Sequence, residues 1–263
     1  MANSFTLEFR EFLAANNISF FVRENLVFID SFKICAELIL LGTPSGKDFP
    51  VIDGYRTITL YEDLWYSRGD IVRGRLLANF GKKSSIFARN CTVSKIDKAR
   101  AGFFLNENHL LGSVNAKYFY ALMDKTGEIV AVSAFSAPRP MNREGEIVSS
   151  YEWVRYASLS GVRVAGGMGK FLEHFIREHS PQEVMSYADK EWSDGDAYKK
   201  LGFELVSESD PIDFIVDTRD FRRYSLKKLR RENESLHPEL DINYFKILRT
   251  RGNLKFLKRS PIR

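Results

Sequence analysis

Between Arg163 and Lys170 the chain reads Arg-Val-Ala-Gly-Gly-Met-Gly-Lys, placing Gly166, Gly167 and Gly169 just ahead of a stretch with helical spacing, Lys170–Glu178. Glycines at a strand-to-helix turn let backbone N–H groups approach an anion, and the positive end of the helix dipole favours negative charge there. The chemistry this predicts is phosphate or pyrophosphate recognition, with Arg163, Val164, Gly166, Gly167, Gly169 and Lys170 as the candidate contacts. A tight turn needs glycine as well, and that plainer reading stands beside the first.

A second cluster is set by charge. From Thr218 to Arg263 there are 14 Lys and Arg against 5 Asp and Glu, a surplus of nine in a chain whose net charge is +5, so the remaining residues sum to about −4. Arg219, Arg222, Arg223, Lys227, Lys228, Arg230 and Arg231 are spaced to line one side of a helix beside Phe221 and Tyr224. Such a face neutralises phosphates without reading sequence, which points to DNA as the partner. Trp192, beside Ser193-Asp-Gly195, is a candidate for stacking on an extruded base, against its plainer reading as a core aromatic.

The elements that must carry these residues follow from periodicity. Hydrophobic residues make up 44% and charged residues 28% of 263 positions, with 21 Phe and 11 Tyr, a globular composition with room for one large domain or two ordinary ones. The first stretch, Ser4 to about Asn16, reads as a helix with Phe5, Phe9 and Leu13 on one face. Strands are expected at 18–23, 26–34 and 57–61 and a helix at 71–79, before a linker at Gly81-Lys-Lys-Ser-Ser85. The second part predicts a helix at 97–108 and strands at 118–123 and 129–135, joined by a turn in which Gly127 supplies positive φ. A strand at 151–158, the glycine loop and its helix, a strand at 184–188, a short helix at 196–201 and a strand at 214–216 complete the pattern. The fold class expected is α/β (α+β). No leader and no membrane span are expected, and two cysteines, Cys35 and Cys91, fit a reducing cytoplasm.

The glycine loop followed by Ala197-Tyr-Lys-Lys-Leu-Gly-Phe203 resembles GNAT-type N-acyltransferases, in which a tyrosine near the thioester acts as general acid. The resemblance implies a mixed-sheet domain, Tyr198 as that acid, and acetyl-CoA or another acyl donor as cofactor. The loop departs from the usual Arg/Gln-x-x-Gly-x-Gly/Ala spacing: counted from Arg163 it ends on Met168, and counted back from Gly169 it begins on Val164. Longer segments, Phe104–Gly112, Val130–Phe135, Tyr151–Arg155, Ser186–Ser193 and Asn243–Lys255, resemble phage-encoded Mom-like and Hef-like proteins. That resemblance implies a DNA-modifying transferase acting on a nucleobase amine in the host cytoplasm, with His109 and Asp189 in its chemistry. A histidine and a carboxylate converging on one cleft can relay a proton from an exocyclic amine. The plainer readings are a buried, satisfied imidazole for His109 and a cap or Lys190 partner for Asp189.

Gly54-Tyr-Arg-Thr-Ile-Thr-Leu-Tyr-Glu-Asp-Leu-Trp65 resembles a late strand of very-short-patch-repair (Vsr-like) nucleases. This implies a degenerate nuclease-like domain in which Asp30, Glu62 and Asp63 are the weak metal-ligand candidates. The organisation expected is therefore 1–82 nuclease-like, 86–217 GNAT-like and 218–263 basic and DNA-binding. A non-catalytic DNA- or protein-binding phage factor and a homing nuclease are the alternatives.

Overall fold

In a computed structural model, residues 3–43, 50–226 and 243–259 are described. Each of its two compact units is assembled from separated stretches of chain. The first comprises Met1–Gly69, Asp189–Asp194 and Ser209–Asn253, the second Asp70–Ala188, Gly195–Glu208 and Leu254–Arg263. These limits differ from the expected three-part division. The supposed linker around Gly81–Ser85 runs into a strand, and the C-terminal stretch is divided between the two units rather than forming an appendage.

The first unit begins with α1 (Ser4–Ala15), capped by Asn3, whose side chain accepts the Phe5 N–H at 2.8 Å. Phe5, Phe9 and Leu13 recur at i, i+4 and i+8 and are fully buried. Phe5 and Phe9 lie 5.7 and 5.8 Å, ring centre to ring centre, from Trp65 in α2 (Glu62–Ser67). The strands β1 (Phe21–Arg23), β2 (Leu26–Ile29), β3 (Ile34–Ile39) and β4 (Arg56–Tyr61) lie side by side in that order. The β3/β4 pair is parallel and the others antiparallel. All six residues of β3 are buried, so the apolar run there carries no alternating pattern and was not legible as a strand of its own.

Numbering strands along the chain, the same unit holds an antiparallel sheet of β14 (Asp213–Asp217), β15 (Arg223–Ser225) and β16 (Phe245–Arg249), ordered β15-β14-β16. Ile39, Tyr61, Val216 and Leu248 form a small core.

The second unit is a mixed α/β structure, as expected. After α3 (Gly69–Asn79), the strand β5 (Ser84–Phe87) pairs in parallel with β11 (Val162–Ala165). Its main sheet has eight strands. They are β6 (Thr92–Lys95), β7 (Tyr118–Met123), β8 (Ile129–Phe135), β9 (Arg139–Arg143), β10 (Glu146–Ser158), β12 (Glu183–Asp189), β13 (Glu204–Glu208) and β17 (Asn253–Arg259). The order is β13-β17-β12-β10-β8-β7-β6, with β9 pairing β10. The hairpin between β7 and β8 turns at Gly127, where φ is +87°, as the sequence predicted.

Helix α4 (Lys98–Asn108), capped by Asp97, packs Ala101, Phe104 and Leu105 against Phe119, Ala121, Val132 and Ala134. Helix α5 (Gly167–His179) buries Phe171, Leu172 and Phe175, and the Phe175 ring stacks on Phe135 with centres 3.9 Å apart. Each such side chain stabilises the fold by roughly 1.5–3 kcal/mol through removal from water. Among the described residues no helix is long and apolar enough to cross a membrane.

Candidate functional site

The site follows from how β10 and β12 run beside each other. They pair in parallel from Ser150↔Glu183 to Trp153↔Ser186, after which no pairing continues, although β10 runs on to Ser158 and β12 to Asp189. On its other edge β10 shifts register against β8 between Trp153 and Arg155. A bulge of this kind turns a strand and ends pairing locally. The parallel strands therefore part at Trp153 and Ser186, and two unpaired backbone edges face a wedge.

The apex of that wedge is polar. Ser186 Oγ lies 2.8 Å from the Trp153 carbonyl oxygen and 2.9 Å from the Tyr198 hydroxyl. The Trp153 carbonyl can only accept, so Ser186 gives its one proton either to that carbonyl, with the Tyr198 hydroxyl then donating to Ser186, or to Tyr198. Tyr198 is carried by α6 (Asp196–Lys200), which starts at Gly195 with φ of +82°. A side chain at Gly195 would run into the Phe256 ring, so this turn needs glycine for its conformation and for its packing. The Tyr198 ring stacks on Phe256 at 5.2 Å and meets Trp153 edge-on at 6.1 Å. Burial raises the Tyr198 phenol above its ordinary range, with the Ser186 contact opposing that rise, so the hydroxyl keeps its proton at neutral pH.

The three glycines of the loop turn out to do three different things. Gly166 caps α5 with φ of +77°, which is a conformational requirement. At Gly167 a Cβ would lie 2.7 Å from the Tyr156 hydroxyl and 3.1 Å from Val164, which is a packing requirement. Gly169 meets only Leu201, at an ordinary 3.4 Å, and its φ is not positive. No side chain caps α5, and the first N–H groups of any helix have no partner within it. An uncapped helix start beside parted strands fits an acyl-thioester cofactor of the CoA type, whose phosphates the α5 amides would hold. Lys170 does not join them: its ammonium donates to the Ala88 carbonyl at 2.9 Å and to that of Cys91. Val164 is buried in the core, and Arg163 lies in β11.

His109 and Asp189 fall in different units, and each has its own local partners. His109 ends α4 and its Nδ1 accepts the Leu111 N–H at 3.1 Å. Burial first, then the positive charges of Arg75 and Arg155, push the imidazole down to about 3. The neutral ring therefore carries its proton on Nε2 and presents a donor, so the expected proton relay through His109 is replaced by a hydrogen-bond-donating role. Asp189 accepts the Glu191 N–H at 3.0 Å, while its carbonyl accepts from Trp192 and Ser193, which makes it the organiser of a turn. Trp192, in that turn, is half-buried.

The basic stretch does not form the expected helical face at its start. Arg219 pairs with Asp217 at 2.6 Å, and Arg223, a strand residue, forms a two-pronged ion pair with the fully buried Asp63. Arg222 is exposed. Lys227, Lys228, Arg230 and Arg231 lie outside the described residues.

The weak metal-ligand candidates are spoken for: Asp63 by Arg223, Asp30 by Lys33 and Tyr55, and Glu62 by the Leu41 N–H at 2.8 Å. No group of three or more His, Cys, Asp or Glu suited to a metal ion occurs among the described residues. Ser186 and Trp153 carried no sequence signal of their own, because their role exists only where two distant strands diverge.

No family model matches the sequence, and no curated protein matches it. Among solved structures, the chain is similar to a histone acetyltransferase and related acetyltransferase from Corynebacterium glutamicum, at 15% identity and a TM-score of 0.39, over 66% of this chain and 98% of that one. It is similar also to a Bacillus subtilis acetyltransferase in complex with CoA, at 12% identity and a TM-score of 0.38, over 65% of this chain and 99% of that one. A third is a GNAT family N-acetyltransferase from Escherichia coli in complex with CoA, at 16% identity and a TM-score of 0.34, over 44% of this chain and 69% of that one. Likenesses this distant set no function for the chain.

Proposed function

We propose that the second unit is an N-acyltransferase that uses a CoA-type thioester, and that its acceptor is an exocyclic amine of a nucleobase in DNA. One observation carries the reading: β10 and β12 part at Trp153 and Ser186, and the Tyr198 hydroxyl sits at the apex of the opening. A CoA thioester, when bound, supplies an activated acyl carbon on which the amine forms the new C–N bond as the C–S bond breaks. Tyr198 keeps its proton at neutral pH and would give it to the departing sulfur, and the proton shed by the amine would restore the phenol. Ser186 fixes the direction of that hydroxyl, and the packing of Tyr198 between Phe256, Trp153 and Phe203 holds the ring still. The unsatisfied amides at the start of α5 hold phosphate charge. DNA as acceptor is supported by the part of the Thr218–Arg263 surplus that carboxylates do not match, of which Arg222 is exposed.

The test is to incubate the full chain with acetyl-CoA and duplex DNA, follow free thiol, and weigh the nucleosides after digestion. DNA-dependent thiol release with an acetylated nucleoside is expected, and Tyr198→Phe should slow it roughly 10²- to 10³-fold, as loss of a general acid does. Absence of thiol release with any DNA, or an unimpaired Tyr198→Phe, would end this reading.

A further inference from the structure

The parted strands of the second unit have two faces, and the wedge described above uses one of them. β10 and β12 are in register at Glu152↔Met185 and at Trp153↔Ser186. Paired residues share a face and neighbours along a strand alternate, so Glu152, Met185 and Tyr187 point away from the Tyr198 side. Arg155 stands three residues beyond Glu152 and in a regular strand would face the other way. The register shift between Trp153 and Arg155 sets it opposite Ala134, which packs against α4, and so brings it to the face of Glu152. The charges agree with this placement. Burial raises the Tyr187 phenol and the Glu152 carboxylate adds to the rise, while burial depresses the Arg155 guanidinium and Glu152 offsets the fall. Helix α5, whose Phe171, Leu172 and Phe175 pack in one cluster with Trp153, covers the opposite face.

The two tyrosines of the wedge differ in what the fold asks of them. Tyr198 is packed against Phe256, Trp153 and Phe203. Tyr187, the first residue of β12 past the last strand pair, is 43% exposed. Its contact with the Tyr198 hydroxyl, at 3.5 Å, is through its backbone carbonyl, and its ring meets no other aromatic ring among the described residues. The Glu152 side chain is likewise unused. Ser136 meets its backbone N–H and carbonyl, each at 2.9 Å, while its carboxylate accepts no hydrogen bond among the described residues. Arg155 feels that carboxylate, yet its Nη1 donates to the Val154 carbonyl at 2.8 Å. An exposed ring beside a carboxylate, where strand pairing ends, has no structural duty.

The chemistry of this face narrows the acceptor. A tyrosine ring stacks on any nucleobase, and a carboxylate accepts from an exocyclic amino group. A lysine ammonium also suits an aromatic ring and a carboxylate. Arg155 decides between them. Burial first, and then Arg75 and Arg155, hold His109 neutral, and the same Arg155 charge repels a cationic acceptor but not a neutral aromatic amine.

We infer that Glu152 and Tyr187 form the acceptor subsite, in which an unpaired nucleobase stacks on Tyr187 and its exocyclic amine donates to the Glu152 carboxylate. The inference rests on the acyltransferase reading, and binding measured without turnover separates the two.

The probe is a single-stranded oligonucleotide carrying one 2-aminopurine, a base whose fluorescence falls on stacking, titrated with the full chain. Saturable quenching is expected. Tyr187→Leu should remove most of the quench and weaken binding about tenfold, Tyr187→Phe should keep both, and the circular dichroism spectrum should match the parent in each. In competition, 2′-deoxyadenosine should release the quenched base roughly fivefold better than purine-2′-deoxyriboside, which lacks the amine. Glu152→Ala should erase that preference, which a purely structural carboxylate would leave in place. A quench that depends on Tyr187 in a chain that releases no thiol from acetyl-CoA would end the acyltransferase reading and uphold the base-binding site. No quench by the folded parent, parent-like quenching in Tyr187→Leu, equal displacement by the two nucleosides, or displacement by Nα-acetyl-lysine amide overturns the inference.

Discussion

Cations gather in both units, but their surroundings differ. In the first unit three arginines of the C-terminal stretch are matched, Arg219 with Asp217, Arg223 with Asp63, and Arg249 with Asp213 at 2.7 Å, while Arg222 is exposed. In the second, a small cavity has Arg75 and Lys83 on its walls without an acidic residue among the described ones. By count along the sequence the C-terminal stretch is the strongly basic one. In the fold, Leu254–Arg263 of it belongs to the second unit, and much of the charge that stays in the first is spent internally. Net charge on a segment therefore gives little guidance to where an anion binds unless pairing is known, because a paired guanidinium has already exchanged water for a carboxylate.

Breaking the matched side should produce the largest effect. Asp63 is fully buried against Arg223, so Asp63→Asn leaves a charge without its partner and should cost about 3–5 kcal/mol, read as a lower urea midpoint. Replacing both residues, Asp63→Leu with Arg223→Met, should recover most of that loss. If the single variant is as stable as the parent, the pairing is not what the first unit depends on.

The second unit should show itself through pH. The folded chain holds His109 neutral, with its imidazole down at about 3 against an ordinary 6.5. The unfolded chain takes up that proton at higher pH than the folded one. Stability from His109 is thus intact above about pH 6.5 and lost as pH falls toward 3, at up to about 1.4 kcal/mol per pH unit. His109→Gln should flatten this part of the stability profile, and an unchanged profile would contradict the burial of a neutral imidazole beside two guanidiniums. The smallest effect belongs to Lys83→Met, which removes a partly desolvated charge and should leave stability within about 0.5 kcal/mol or raise it slightly. A large loss there would mean that the fold depends on Lys83.

Much of the architecture was legible from local pattern. The α1 face of Phe5, Phe9 and Leu13, the helix that became α4, the turn at Gly127 and the strand, glycine loop and helix around Gly166 all rest on short-range chemistry that the chain displays directly. What was not legible depends on distant segments meeting. The strand β17 enters the main sheet between β13 and β12 although the intervening residues Ser209–Asn253 belong to the other unit. The β9/β10 hairpin turns at Glu144 and Gly145, both with positive φ, within a stretch whose sequence gave no clear alternation. At the site, Tyr198 was found from its spacing to Gly202 and Phe203, whereas Ser186 acquires its role only at the point of strand divergence. The glycine cluster looked like one motif and is three, of which Gly169 alone is left with space that neither conformation nor tight packing explains.

That last residue offers the most direct test of the acyltransferase account. Calorimetric titration of the full chain with CoA should show saturable binding, and Gly169→Glu, which sets a carboxylate at the start of α5 where only Leu201 lies near, should weaken it at least tenfold without unfolding the protein. A chain that does not bind CoA, or a Gly169→Glu variant that binds it as the parent does, would contradict the claim that the parted strands and the uncapped helix form a thioester site.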